Sequence, residues 1–237
     1  DRSPSRGLGD VYKRQMLNIT PTVMIPTMLQ NLMGYPDSMI GFLLAARGFG
    51  MAFGFFVVAI IAKIDPRIGI ILGFLAIGLS GWNMALFTLE VDPWTVAWNV
   101  ILQGIGSAIM WVPLSIVAFA TLPVTLLPDA SSIFHLLRNF GSSIFISVSV
   151  LTVSRTGKIS YSELSEHITA FADVLRFQQV MGRWSFDKAE GLVALGSEVI
   201  RQALMVGYTN FFVLYALVSF AAIPLMLLVK IKQEKPA

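Results

Sequence analysis

Six apolar stretches dominate this chain, and each is long enough to cross a bilayer: Met16 to Met33, Ser38 to Ala62, Ile68 to Leu89, Trp94 to Ala120, Ser131 to Ser154 and Gly207 to Val229. A spanning helix needs about 20 mostly apolar residues. A helix also satisfies its own backbone donors and acceptors, which hydrocarbon cannot do. The expected fold class is therefore all-α, a polytopic membrane protein with six transmembrane helices. Charge agrees, because Asp, Glu, Lys and Arg make up only 13% of the chain, against roughly 25% in a soluble domain.

The basic residues sort by side of the membrane. Lys63 and Arg67 lie between the second and third stretches, and Lys230, Lys232 and Lys235 follow the sixth. All five fall on one face if the spans alternate, and the positive-inside rule makes that face cytoplasmic. The short connections opposite, Gly34 to Asp37 and Glu90 to Pro93, hold no Lys or Arg. The C-terminus is thus expected inside. The net charge of +3 comes with no basic patch of the kind nucleic acid requires, so nucleic acid is not an expected partner and the lipid bilayer is.

The expected organisation is a leader over 1–15, five transmembrane helices over 16–154, an outer periplasmic or extracellular loop over 155–206, a sixth helix over 207–229 and a cytoplasmic tail over 230–237. The leader holds six charges and no apolar core, unlike a signal peptide. Its run from Ser3 to Gln15 resembles a translated cloning linker and is set aside as non-native. The outer loop carries six basic and six acidic residues. In it, Ser160 and Glu163 fit a capping box. Leu164, Ile168, Phe171 and Leu175 then recur at amphipathic helical spacing, and Ser185 is placed to cap a second helix running through Glu198 and Arg201 into the sixth stretch.

The only full charges inside the stretches are Arg47 and Arg138, and no carboxylate accompanies them. A charge at membrane depth costs at least about 2.5 kcal/mol and normally faces a partner or a water-filled path. On a wheel of about 100° per residue, Ser131, His135, Arg138, Ser142 and Ser149 fall within roughly 60° of one another. This polar face is expected to look into the bundle or a cavity, with Asn139 directly after Arg138. Asn99 and Gln103 lean one way on the fourth stretch, as Tyr208 and Tyr215 do on the sixth, and Tyr215 is the better pocket candidate of the two tyrosines. The substrate-path candidates are thus Arg138, His135, Ser142, Asn139, Gln103, Asn99 and Tyr215. Arg47 sits among small residues, including the spacing Gly50-x-x-x-Gly54 that lets helix backbones approach. A structural or gating role is expected for Arg47, Gly50 and Gly54, as for Pro113, which predicts a kink.

Enzyme chemistry finds little to work with. The chain has no Cys, no paired carboxylates in its spans, no metal-binding His spacing and no nucleophile elbow. Gly104 and Gly106 lie in an apolar helix with no strand before them, so they are no dinucleotide fingerprint. A non-enzyme without metal or cofactor is expected, and a transporter fits better than a non-transporting assembly subunit.

Particular strings carry a family resemblance. Leu32-Met-Gly-Tyr35, Gly41-Phe-Leu-Leu-Ala-Ala-Arg47-Gly-Phe-Gly-Met-Ala-Phe-Gly54 and Asp65-Pro-Arg67 are similar to the EmrB/QacA-type fourteen-span drug:proton antiporters of the major facilitator superfamily. So are Gln103-Gly-Ile-Gly106 with Pro113, Phe134-His-Leu-Leu-Arg138-Asn-Phe-Gly141 and Arg201-Gln-Ala203. The resemblance implies that the six helices are spans nine to fourteen, the C-terminal domain of a bacterial inner-membrane exporter that works by alternating access. It also implies amphipathic organic compounds or drugs as substrate and protons as the coupling ion, with the coupling carboxylate in the missing N-terminal half, and an associated periplasmic adaptor protein. Asp65 and Arg67 fall at the family's cytoplasmic gating signature, where Ala62 replaces the usual aspartate. Ala46 stands where the family commonly has proline. A facilitator-type importer of a small organic solute, with Arg138 anchoring a carboxylate or phosphate, is the alternative within transport.

Overall fold

A computed structural model describes residues 20–61, 66–119, 123–168, 184 and 189–227. Helix α1 covers 20–31. It is followed by α2 (Asp37–Ile61), α3 (Pro66–Met84), α4 (Pro93–Phe119), α5 (Leu127–His167) and α6 (Ala189–Leu227), with a 3-10 turn at Val124–Leu126 before α5. There is no strand among the described residues. Helices α2 to α6 are each long and apolar enough to cross a bilayer. The described part of α1 is shorter than a span, and residues 16–19 lie outside the described residues. The protein is an all-α polytopic membrane protein.

Local chemistry explains where these helices stop and start. Gly34 has φ of +66°, a left-handed conformation that side chains disfavour and that ends helices, and the Tyr35 N–H then donates back to the Leu29 carbonyl at 3.1 Å. Asp92 caps α4, its Oδ2 accepting from the Trp94 N–H at 2.9 Å, and Pro93 supplies the preset first helical position. The Tyr35 hydroxyl donates to the Val91 carbonyl at 3.1 Å, joining the turns at 32–36 and 85–92 at one end of the bundle, here termed the turn end. Burial, reinforced by the Asp92 carboxylate, pushes the Tyr35 phenol above its ordinary range, which keeps it a donor.

The short connections predict consecutive helices as neighbours, but α2 packs on α4 rather than on α3. The residues that α2 buries explain this: Ile40, Leu43, Ala46, Gly50, Gly54 and Val58 form a narrow stripe with small residues at its centre. A Cβ at Gly50 would collide with the Ile101 carbonyl oxygen, and one at Gly54 would lie 2.7 Å from the Ala108 Cβ. In lipid, helix pairs are held by such close approach and not by a hydrophobic driving force between helices. Helix α4 also packs on α3, α3 on α6, and α6 on α5, while α1 adds Met24, Ile25, Met28 and Leu29 to the common core.

Glycine at the α2–α4 crossing gives a direct test. Gly50→Ala should lower stability by about 2 kcal/mol, because the added methyl overpacks against fixed backbone. Gly48→Ala should be neutral or raise stability by up to about 1 kcal/mol from helix propensity, since a Cβ there meets nothing within 4 Å. Unfolding midpoints in detergent compare the two, and equal effects would contradict the crossing.

One expectation about the outer loop is corrected. Ser160 does not cap a new helix but lies buried inside α5, which runs unbroken to His167. Gly157 permits this by letting α5 approach α6, where its Cβ would sit 3.0 Å from Leu204 Cδ2. Leu164 therefore belongs to α5, whereas Phe171, Leu175 and Ser185 lie outside the described residues. Helix α6 begins at Ala189, well before the apolar stretch at Gly207. Arg201 fastens this early segment, donating to the Glu198 carboxylate through Nε and Nη2, each at 2.9 Å, and through Nη1 to the Leu32 carbonyl at 3.3 Å. The segments 1–15 and 230–237, with Lys63 and Asp65, lie outside the described residues.

Candidate functional site

Arg47, Gln103 and Tyr215 form a hydrogen-bonded chain across three helices. The Arg47 Nε donates to Gln103 Oε1 at 3.2 Å, and Gln103 Nε2 donates to the Tyr215 hydroxyl at 3.2 Å. A primary amide is the side chain suited to the middle position, because it accepts on one atom and donates from the other. Gln103 is 1% exposed and Tyr215 0%, so both depend on each other in place of water. Backbone contact sets the geometry: a Cβ at Gly104 would collide with the Arg47 carbonyl oxygen, so α2 and α4 touch where the guanidinium leaves its helix. The Tyr215 ring is held by Phe211, with centroids 6.2 Å apart, and by Gly81, whose Cβ would lie 2.7 Å from the ring.

The polar row of α4 lies inside the bundle. Asn99, Gln103 and Ser107 are all buried. Ser107 donates to the Gln103 carbonyl at 2.8 Å and Asn99 Nδ2 to the Thr95 carbonyl at 2.9 Å. Asn99 Oδ1 is enclosed and has no partner. A buried amide oxygen without a donor costs free energy.

Arg138 lies elsewhere. Its guanidinium stacks over Trp111 at 5.6 Å, and its Nε is enclosed without a hydrogen-bond partner. Trp111 is eight positions beyond Gln103 on α4, or about 12 Å further from the turn end at 1.5 Å per residue. The two arginines thus put positive charge at two depths. The polar face of α5 divides: Ser142 and Ser149 point inward, at 3% and 0% exposure, and donate to the Arg138 and Phe145 carbonyls. His135 and Asn139 are exposed, with the His135 ring edge-on to Phe134. The polar face is thus buried at Ser142 and Ser149 and open at His135 and Asn139, while the buried line of α5 runs through Phe134, Gly141, Ser142, Phe145, Ser149, Val153, Gly157 and Ser160.

The remaining candidates lie apart from this chain of side chains. Pro113 is buried in α4, which continues through it to Phe119, and would meet a Cβ on Gly69 at 2.9 Å. Arg67 is half-buried at the start of α3. Sequence reasoning missed Trp111 as the partner of Arg138, and it missed the link from Arg47 to Gln103. A signal existed for the second: Arg47 and Gln103 each stand ten positions beyond the first residue of their helix, Asp37 and Pro93, and both helices start at the turn end.

Comparison with known proteins adds the family context. No family model matches the chain. It is 24% identical over 208 residues to the multidrug export protein EmrB of Haemophilus influenzae, covering 85% of this chain and 40% of that protein. It is 30% identical over 122 residues to the colistin resistance protein EmrB of Acinetobacter baumannii, covering 51% and 24%. It is 22% identical over 220 residues to the fatty acid resistance protein FarB of Neisseria gonorrhoeae, covering 91% and 43%. The chain spans less than half the length of these curated relatives. It is a polytopic membrane protein similar, over most of its own length, to EmrB-type export and resistance proteins.

Proposed function

We propose that the chain forms the C-terminal six-helix part of a proton-driven exporter of amphipathic organic compounds, built on the major facilitator plan in a bacterial inner membrane with its C-terminus in the cytoplasm. The observation that carries this reading is the buried polar row of α4, tied through Gln103 to Arg47 and Tyr215 inside an otherwise apolar bundle. The printed functions of the relatives, multidrug export and resistance to colistin and fatty acids, support export and an amphipathic cargo. The chain acts as a carrier, a reading supported by the names of its relatives, which are those of export and resistance proteins. The apolar stretches lack carboxylates, so the proton-binding acid belongs to another part of the protein. A periplasmic adaptor partner belongs to the same reading.

A second reading, an importer of a small organic anion, is favoured by Arg138, whose stacked guanidinium has an unpartnered Nε. The test between them is transport by the full-length protein in everted membrane vesicles. Export predicts uptake of amphipathic dyes into the vesicles that collapses when a protonophore dissipates the gradient. Transport indifferent to the gradient would sink the proton-driven reading, and absence of dye uptake would sink export itself.

A further inference from the structure

A groove between α1, α5 and α6 runs along the helices, from the turn end into the apolar layer. It encloses about 730 Å³, within the range of small-molecule sites, and none of its lining residues belongs to the Arg47–Gln103–Tyr215 chain. Antiparallel helices α5 and α6 meet closely behind it: a Cβ on Gly207 would lie 2.6 Å from the Val153 carbonyl oxygen, and one on Gly157 would lie 3.0 Å from Leu204 Cδ2. Arg201, a turn before Leu204 on α6, is bonded to the Leu32 carbonyl, so the groove meets the turn end at this level. From there the α5 lining descends from Tyr161 to Val150, about 16 Å at 1.5 Å per residue, into the apolar stretch that ends at Ser154.

Charge sits at one end of it. Lys158 is the one charged residue in the lining, exposed and one turn beyond Ser154, and Tyr161 follows a turn later. No carboxylate pairs with Lys158 among the described residues, and the Glu198 carboxylate on α6 is taken by Arg201 at 2.9 Å. Deeper in, Val23 and Met24 face Val150 and Val153 across the groove, and the Thr27 hydroxyl is turned back to the Val23 carbonyl at 2.8 Å. Val23 and Val150 are also exposed, so the groove opens sideways at the surface of the bundle. Lysines near the ends of spans reach for the membrane boundary, and tyrosines are enriched there. A bilayer lipid matches this order as it stands, with its head at the boundary and its chains running inward.

We propose that this groove is a site for an anionic glycerophospholipid of the surrounding bilayer. One acyl chain fills the trough along Val150, Val153 and Leu204, and the phosphate is held by the Lys158 ammonium, with the Tyr161 hydroxyl donating to it. An ammonium–phosphate contact is charge-assisted. A cationic amphiphile would set its charge against Lys158, and a chain without a charged head would leave the ammonium unmatched. The lipid occupies the space between α1 and the α5–α6 pair. It does so whichever direction the protein transports, so the site stands apart from the export reading.

Photolabelling of the full-length protein in phosphatidylcholine nanodiscs tests it. The probes are phosphatidylglycerol and phosphatidylcholine carrying the same diazirine-bearing chain, and adducts are located by peptide mass spectrometry. The phosphatidylglycerol probe should label segments 150–154 and 200–204 at least about fivefold more than the phosphatidylcholine probe, the preference that one lysine near a membrane surface supplies. The exposed side of α3, at Leu72, Leu75 and Leu79, is the reference and should label equally with both. Lys158→Gln, a change at an exposed position, should bring the ratio at the groove to about one. Arg155→Gln removes an equal charge outside the lining and should leave the ratio unchanged. Val150→Trp fills the trough from an exposed position and should remove labelling of 200–204 by both probes, and Val23→Trp does the same from α1 should the first variant not fold. Labelling of the groove that matches α3 with both probes overturns the proposal. So does a preference that survives Lys158→Gln, or one that Arg155→Gln removes as well.

Discussion

Replacing Gln103 with leucine should destabilise the bundle more than any other single polar-to-apolar change in it. Gln103→Leu removes the oxygen that accepts from the Arg47 guanidinium at 3.2 Å and the amide that donates to the Tyr215 hydroxyl at 3.2 Å. Removing one partner of a buried charged hydrogen bond leaves the other desolvated, at a cost of about 3–5 kcal/mol. The loss falls on the bond Arg47 gives to Gln103 and on the one Gln103 gives to Tyr215. The double variant Arg47→Met/Gln103→Leu should recover a large part of that loss, because it withdraws the charge together with its acceptor. A double-mutant cycle on unfolding midpoints in detergent should then return a coupling of about 1–3 kcal/mol. Coupling near zero would mean that the two side chains do not depend on each other. The same pair of variants separates architecture from transport. If the chain of side chains serves the cargo path, the double variant folds and its full-length form loses transport. If it only braces α2 against α4, folding and transport return together. Tyr215→Phe should cost less, about 1 kcal/mol, since Gln103 loses one acceptor and no charge is stranded.

The sequence carried the fold class and five of the spans because apolar length and the absence of charge are local properties. That Asn99 and Gln103 share one face of α4 was legible for the same reason, since their spacing alone places them there. What it did not carry is which helix meets which. The packing of α2 on α4 rests on Gly50, Gly54 and Gly104 meeting backbone atoms of the other helix, and a glycine in a sequence names no partner. For that reason Arg47 read as a residue among glycines, although those glycines are what bring it to Gln103. The extension of α5 past Ser154 was hidden because hydropathy reports where a helix leaves the apolar layer and not where it ends. Which part of the polar face of α5 is buried and which is open, Ser142 and Ser149 against His135 and Asn139, was not legible, because a helical wheel groups residues by direction and does not say where a neighbouring helix lies.

Arg138→Lys should separate the two roles open to Arg138. The guanidinium is planar and stacks over Trp111 at 5.6 Å, and its Nε remains enclosed without a partner. A guanidinium is a planar fork of donors suited to a carboxylate or phosphate, which it binds bidentately. Lysine keeps the charge but has neither the plane nor the fork. If Arg138 takes an anionic group of the cargo, Arg138→Lys should lower transport of anionic compounds about 10–100-fold, the equivalent of one good charged hydrogen bond at 1.4 kcal/mol per decade. Cationic compounds should change by less than about threefold, well under one decade. If Arg138 instead holds α5 to α4 through the indole, both classes should fall together, and Trp111→Leu should reproduce the loss, since a stacked cation contributes about 0.5–2 kcal/mol. The discriminating measurement is the ratio of initial rates for an anionic and a cationic dye in the same vesicles, because differences in protein amount cancel in the ratio. A ratio unchanged by Arg138→Lys removes Arg138 from cargo recognition, and the α4 row around Gln103 is then the remaining candidate for the transport path among the described residues.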